Sequence, residues 1–259
     1  MSGVHYQILS GFKTVNTWQK SLLKNAAGLL QAGYMRENMH FGGTPTGHAS
    51  IGHAPTVGGG GRGATAGGSD SLSLSGTSIS FTQGDIQPAF NPTSLAVKGQ
   101  GFFLVAENLR PGAKLYLTRA GDFRYDTEGR LVNPQGLFVV GGGGTLSDPP
   151  TPVRDPGDGT VRLADVSLAR VPVPNNLAAS GYGPVVFELT AAAGPMAAYP
   201  SGRPEVGFIQ PSSLEMPDRT GGMAQIQVET NYAQQAYKMF KDLLDNYNRA
   251  TDDAIGTVR

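Results

Sequence analysis

The sequence predicts an α+β protein: a mainly-β, barrel- or sandwich-like body flanked by an N-terminal and a C-terminal amphipathic helix. Three observations carry that prediction. Apolar residues recur at steps of three and four at both ends of the chain. Short apolar runs separated by turn residues fill the middle. A glycine-rich stretch stands between the first helix and those runs.

The first helix is expected from Val4 to about Gln31. Val4, Ile8, Phe12, Val15, Trp18 or Gln19, Leu22, Ala26 and Leu29 fall on one stripe of a 3.6-residue helix, and Leu9, Leu23 and Leu30 widen it. No acid precedes Glu37, while Lys13, Lys20 and Lys24 are present. The same acid-free, basic, amphipathic start also describes an organellar transit peptide. At the other end, Ala233, Tyr237, Phe240, Leu244, Tyr247, Thr251 and Ala254 alternate steps of four and three, as in a heptad seam. Pro217 and Gly221-Gly222 punctuate the approach to that second helix, whose apolar steps begin at Ile226.

Glycine accounts for 37 of the 259 residues, and 12 of those lie from Gly42 to Gly76 among Ser, Thr, Ala and Pro. So little apolar surface cannot offset the entropy of ordering, so on its own this stretch is expected to be flexible. The resulting division is residues 1–41 as N-terminal helix, 42–77 as linker, 78–210 as β body, and 211–259 as C-terminal linker and helix.

In the body, strands are expected at Ser78–Phe81, Ser94–Val97, Phe102–Ala106, Lys114–Arg119, Arg130–Val132, Leu137–Val140, Val161–Ala164, Ser167–Val171 and Val185–Thr190. Asp126-Thr127-Glu128-Gly129 and Asn133-Pro134-Gln135-Gly136 carry Asp or Asn first and Gly last, the preference of a type I turn. Asp158-Gly159 reads as a primed hairpin turn. The spacing is too short for helical crossovers, which excludes a parallel βαβ sheet.

Composition narrows the function classes. Twenty basic residues balance twenty acidic ones, so no general electrostatic pull toward nucleic acid or anionic lipid is expected. The absence of Cys excludes a disulfide framework, a thiolate metal site and a cysteine nucleophile. No apolar run approaches the ~18 residues a spanning helix needs, so membrane insertion is not expected.

No cofactor and no metal are expected either. His5, His40, His48 and His53 form no HExxH pattern or i, i+4 pair. Gly58 to Gly63 lacks the Lys-Ser/Thr that completes a phosphate loop. Gly99-Gln100-Gly101 runs into Phe102-Phe103 rather than a third glycine at dinucleotide spacing. Asp155 and Asp158 enclose Pro156 and Gly157, which reads as a loop rather than a calcium site. Acid pairs such as Glu205 with Glu215 carry almost no information among twenty acids, and no enzyme signal emerges.

The middle of the chain is more informative. Phe81-Thr82-Gln83-Gly84-Asp85-Ile86 is followed by Asn91-Pro92-Thr93-Ser94-Leu95-Ala96-Val97-Lys98-Gly99-Gln100-Gly101-Phe102-Phe103. Then come Leu117-Thr118-Arg119-Ala120-Gly121-Asp122-Phe123 and Gly129-Arg130-Leu131-Val132-Asn133 with Gly136. This ordered set resembles the signature of the flagellar hook and rod family, the axial proteins of the bacterial flagellum. Its signature positions are Thr82, Gln83, Gly84, Asn91, Gly99, Gly101, Phe102, Phe103, Thr118, Arg119, Ala120, Gly121, Phe123 and Gly129. The ends agree more loosely: Ser10-Gly11 and Asn25 to Gly33-Tyr34 resemble the family's opening, and Gln234-Gln235-Ala236-Tyr237 its closing helix. With its length near 260, the chain resembles most the distal rod protein class.

The resemblance implies a non-enzymatic subunit that polymerises into the hollow rod or a rod-like tube, with the terminal helices forming the inner wall. Its partners would be copies of itself, other rod and hook proteins, and the ring proteins around the rod. It would lie in the basal body, periplasmic or outside the cell, exported without a cleaved signal. Ile8, Phe12, Val15, Trp18, Leu22, Leu29, Ala233, Tyr237, Phe240, Leu244 and Tyr247 are the expected assembly contacts, although pairing of the two helices within one chain accounts for part of each stripe. Phe102, Phe103, Leu117 and Phe123 are expected in the body core. Arg119 and Asp122 are expected to pair across a turn, and Gly33, Gly84, Gly99, Gly101, Gly121 and Gly129 to hold backbone conformations closed to larger residues. Two other readings stand beside this one: a related subunit of a non-flagellar surface filament or sheath, and a β-barrel binding module on a flexible stalk.

Overall fold

A computed structural model of the chain describes residues 3–42 and 73–256. The expected linker core, with His48, His53 and Gly58 to Gly63, lies outside the described residues. The chain divides into two compact units, one within the spans 1–25, 37–78 and 224–259, the other comprising Ala26–Arg36 and Ile79–Met223.

The first unit holds most of the two long helices. Helix α1 spans Gly3–Gly28 and helix α2 spans Arg219–Gly256. They pair through aromatic rings: Phe12 meets Tyr237 edge-on at 5.3 Å between centroids and Phe240 at 6.0 Å. Gly11 makes that approach feasible, because a Cβ there would overlap the Phe240 ring. Strand β1 (Arg36–Gly42) pairs with β2 (Ser73–Ser80) in a two-stranded sheet. Asn25 near the end of α1 reads both backbone groups of Glu37 in β1. Its Nδ2 donates to the Glu37 carbonyl at 2.8 Å, and its Oδ1 accepts from the Glu37 N–H at 3.0 Å. Trp18 stands edge-on to Phe41 of the same strand at 4.9 Å.

The second unit is the β body. Its main sheet has nine strands, and β5 (Phe102–Ala106) is the hub. Along one edge β5 pairs with β6 (Leu115–Thr118). Along the other it pairs with β9 (Phe138–Val139) and with β10 (Ser167–Arg170). From β6 the sheet continues through β12 (Gly183–Glu188) to β11 (Ala178–Ser180). From β9 it continues through β8 (Leu131–Val132) to β7 (Arg124–Tyr125), while β10 also takes β13 (Ala197–Pro200). Two further pairs flank it: β4 (Leu95–Lys98) with β14 (Phe208–Pro211), and β3 (Asp85–Pro88) with β15 (Ser213–Met216).

A strand alternates its side chains, so an all-apolar β5 must be covered on both faces. It is. Phe103 and Val105 join one buried cluster with Tyr34, Leu95, Phe123 and Leu168. Phe102, Leu104 and Ala106 join a second with Met35, Ile79, Leu117 and Phe187. Phe103 meets Phe123 edge-on at 5.0 Å, and Phe81 bridges Phe102 and Phe187 at 5.1 and 5.0 Å. Each fully buried Phe contributes about 1.5–3 kcal/mol by transfer from water.

Both expected turns close: the Gly129 N–H donates to the Asp126 carbonyl, and the Gly136 N–H to the Asn133 carbonyl. The hairpin expected at Asp158-Gly159 does not form. The Asp158 carboxylate accepts instead from the Thr160 N–H and hydroxyl, closing a local side-chain turn. The strand expected at Val161–Ala164 is likewise absent, and Leu163–Asp165 is a single 3-10 turn. Helix α1 stops at Gly28, three residues short of expectation. Helix α2 starts at Arg219, seven residues before Ile226, with the Asp218 carboxylate accepting from the Gly221 N–H at 3.0 Å.

Candidate functional site: signature knot and helix surfaces

Five of the signature residues, Gln83, Gly84, Gly99, Phe102 and Arg119, meet at one polar knot whose charged pair is buried. Arg119 follows β6, and its side chain is almost fully buried with that of Glu215 in β15; Nη1 lies 3.2 Å from Oε2. Arg119 Nη1 also reaches the Val97 carbonyl at 3.4 Å, and Nη2 donates to the Gly99 carbonyl at 2.7 Å. Its guanidinium lies 5.0 Å from the centre of the Phe102 ring. Gln83 completes the knot. Its amide donates to Glu215 Oε1 at 2.8 Å and to the Val97 carbonyl at 2.9 Å, while its Oε1 accepts from the Gly99 N–H at 2.8 Å. The Gly84 N–H adds a further donor to Glu215 Oε1 at 2.9 Å.

Burial pulls the Arg119 pKa down, and the Glu215 charge and hydrogen bond oppose that shift. The expected Arg119–Asp122 pair is not made. Glu215 holds the guanidinium instead, and Asp122 sits opposite Ser94 in an isolated bridge. Burial there raises the Asp122 pKa above its ordinary value, against a lowering from its own backbone hydrogen bond. Glu215 carried no local signal at the sequence level. A lone acid in an alternating strand looks like any solvent-facing residue until its partner is known.

The six glycines expected to hold special backbone positions serve two purposes. Gly33, Gly99 and Gly129 adopt positive φ, as expected. Gly84, Gly101 and Gly121 do not; they are close-approach positions, where a Cβ would collide with the carbonyls of Met216, Val206 and Leu95 respectively. Phe102, Phe103, Leu117 and Phe123 are all buried in the body. Asn91 caps its own turn, accepting from the Thr93 N–H at 3.2 Å, and Thr118 donates to the Val185 carbonyl at 2.7 Å. Thr82 is exposed beside Ser80.

Among the described residues no group of three His, Cys, Asp or Glu could hold a metal ion, and His40 is engaged with Ser78. No described helix is long and apolar enough to cross a membrane.

The helices supply the second candidate surface. Of the eleven expected assembly contacts, Ile8, Val15, Leu22, Leu29, Ala233 and Phe240 are buried by the chain itself. Phe12 and Trp18 are half-buried against the rings already described. Leu244 and Tyr247 are half-buried, and Tyr237 is exposed. Other apolar side chains stand in solvent: Tyr6, Leu9 and Leu23 on α1, and Val228, Met239 and Leu243 on α2. The expected stripe and seam mark most of the covered residues, but Tyr237 on the seam is exposed, and so are Leu9 and Leu23, which widen the first stripe.

The described residues thus comprise a mainly-β body with a polar knot and two long amphipathic helices that keep apolar side chains in water. Residues 96–179 match the family model of the flagellar hook protein FlgE/F/G D1 domain. The chain is 32% identical to the flagellar hook protein FlgE of Rhizobium meliloti over 164 residues, 63% of this chain and 34% of that protein. It is 44% identical to the flagellar hook protein FlgE of Brucella abortus over 61 residues, 24% of this chain and 15% of that protein. With FlgE of Helicobacter pylori it shares 37% identity over 70 residues, 27% of this chain and 10% of that protein. The matched regions thus span between a tenth and a third of these relatives' own length. Over these regions the chain is similar to flagellar hook proteins.

Proposed function

We propose that the protein is a non-enzymatic subunit that polymerises with copies of itself into a hollow axial tube of the bacterial flagellum. The carrying observation is the family match over residues 96–179, in a chain whose two long helices leave apolar side chains exposed. An exposed Leu or Met gains its ~1.5–3 kcal/mol only when something covers it. A head-to-tail repeat of identical subunits covers it without closing into a ring. In this reading Leu9 and Leu23 of α1 and Met239 and Leu243 of α2 make intersubunit contacts, and the stripe through Val15, Leu22, Ala233 and Phe240 joins the helices within each subunit. The helices form the inner wall and the β body faces outward.

The segment of the axis is the rod, on the resemblance of the signature and the ends to the distal rod class, with other axial proteins and the surrounding rings as neighbours. Its place is the basal body, periplasmic or outside the cell. Electron microscopy of the purified protein, with Leu243→Asp alongside, tests the polymer. Tubes from the parent and none from the variant are expected. A protein that stays monomeric as concentration rises, with both helices intact, overturns it. Labelling in situ then separates rod from hook and from a non-flagellar filament.

A further inference from the structure

Glu215 holds two parts of the body unit with different atoms. Its carboxylate accepts from Gln83 Nε2, the Gly84 N–H and Arg119 Nη1, three donors from two separate segments. Its backbone carbonyl accepts from the Gly33 N–H at 2.8 Å. Gly33 lies five residues beyond the end of α1, at φ +68°, pressed so closely on the Ala120 backbone that no Cβ fits. Four residues beyond Glu215, at Arg219, α2 begins. The two helix roots also touch: a Cβ at Gly222 would lie 2.9 Å from Leu29 Cδ2.

We propose that Glu215 is the joint that locks the roots of both helices to the β body, so that they are released together when its carboxylate loses its donors. A buried ion pair is close to break-even for stability against well-packed apolar residues. What an apolar residue cannot supply is position along the strand. Three directional donors fix where β15 sits, and that places the Glu215 carbonyl opposite the Gly33 N–H. If β15 slips, the N–H loses its acceptor and the α1 root is freed. The same strand runs through Pro217 and the helix-capping Asp218 into α2, so that root is freed with it. The inference rests on the body unit alone and stands whether or not the chain polymerises. Under the proposed function, the elements it anchors are the ones that assemble.

Hydrogen exchange of the full-length protein, read by mass spectrometry, tests this with Glu215→Gln and Gly33→Ala. In Glu215→Gln, amides of residues 29–36 and 219–223 are expected to exchange about tenfold faster than the general loss of stability accounts for, as read on the slowest amides of β5 and β6. Gly33→Ala is expected to free residues 29–36 and leave 219–223 protected. Release of only one root in Glu215→Gln, unchanged roots, or a uniform rise across the body overturns the joint. If Glu215→Gln does not fold, Gln83→Ala removes one donor without stranding the arginine. The same two segments must then respond, to a smaller degree, and a uniform or absent response overturns the proposal equally.

Discussion

Arg119 and Glu215 are 96 residues apart in the chain, yet their guanidinium and carboxylate meet at 3.2 Å with both side chains almost fully buried. Each is held by further partners: Arg119 by the Val97 and Gly99 carbonyls, Glu215 by Gln83 and the Gly84 N–H. The pair closes the body around the strands that carry the signature.

Breaking this pair from one side strands a buried charge. Glu215→Ala is expected to destabilise the body by about 3–5 kcal/mol. The double variant Arg119→Met with Glu215→Leu is expected to recover most of that loss. Thermal or denaturant unfolding of the three proteins checks both values, and a double variant no better than the single one contradicts the account.

Gly121 and Gly76 give opposite outcomes for the same substitution. A Cβ at Gly121 would collide with the Leu95 carbonyl, whereas at Gly76 nothing lies within 4 Å. Gly121→Ala is therefore expected to cost about 3 kcal/mol, the upper end of overpacking. Gly76→Ala is expected to stay within about 0.5 kcal/mol, as surface changes do. Denaturant midpoints at constant slope decide the comparison.

Asp122 sets a pH dependence. Its carboxyl is raised from 3.8, first by burial, so the fold favours its protonated form. The stability it contributes is present in full below the unfolded-state value and is lost as pH rises through the folded-state value. Asp122→Asn keeps the neutral form at every pH. The variant is expected to match the parent near pH 3 and to melt at higher temperature than the parent by pH 7. A melting difference that does not change with pH, followed by calorimetry, rules out this cause.

The two apolar surfaces of the helices are separable. Phe240 is 7% exposed and packs on Gly11 and Phe12. Phe240→Ala is expected to weaken the helix pair by about 3–5 kcal/mol and lower helical circular dichroism before the body melts. Met239→Asp, on an exposed position of α2, is expected to leave monomer stability unchanged and to abolish tubes. Polymer formation by Met239→Asp at the parent's concentration places the contact elsewhere.

Much of this architecture was readable from local pattern. The steps of three and four from Val4 and from Ala233 marked both helices, because helical periodicity is a property of neighbouring residues. Asp126 to Gly129 and Asn133 to Gly136 marked two turns for the same reason. The pattern failed where a side chain intervened, as at Asp158, which turned an expected hairpin into a capped loop. It was also silent on β3, β14 and β15, whose partners are far along the chain.

The order of residues was sufficient to set the α+β class, the helical ends and the signature itself, since each depends on spacings of a few residues. The fold alone chose Glu215 over Asp122 as the partner of Arg119, because a buried charge is satisfied by whatever the topology brings within hydrogen-bond reach. It also chose which stripe of each helix is covered within the chain and which stays in water. Periodicity gives an apolar face; only packing against a particular neighbour says how much of that face is left for another molecule.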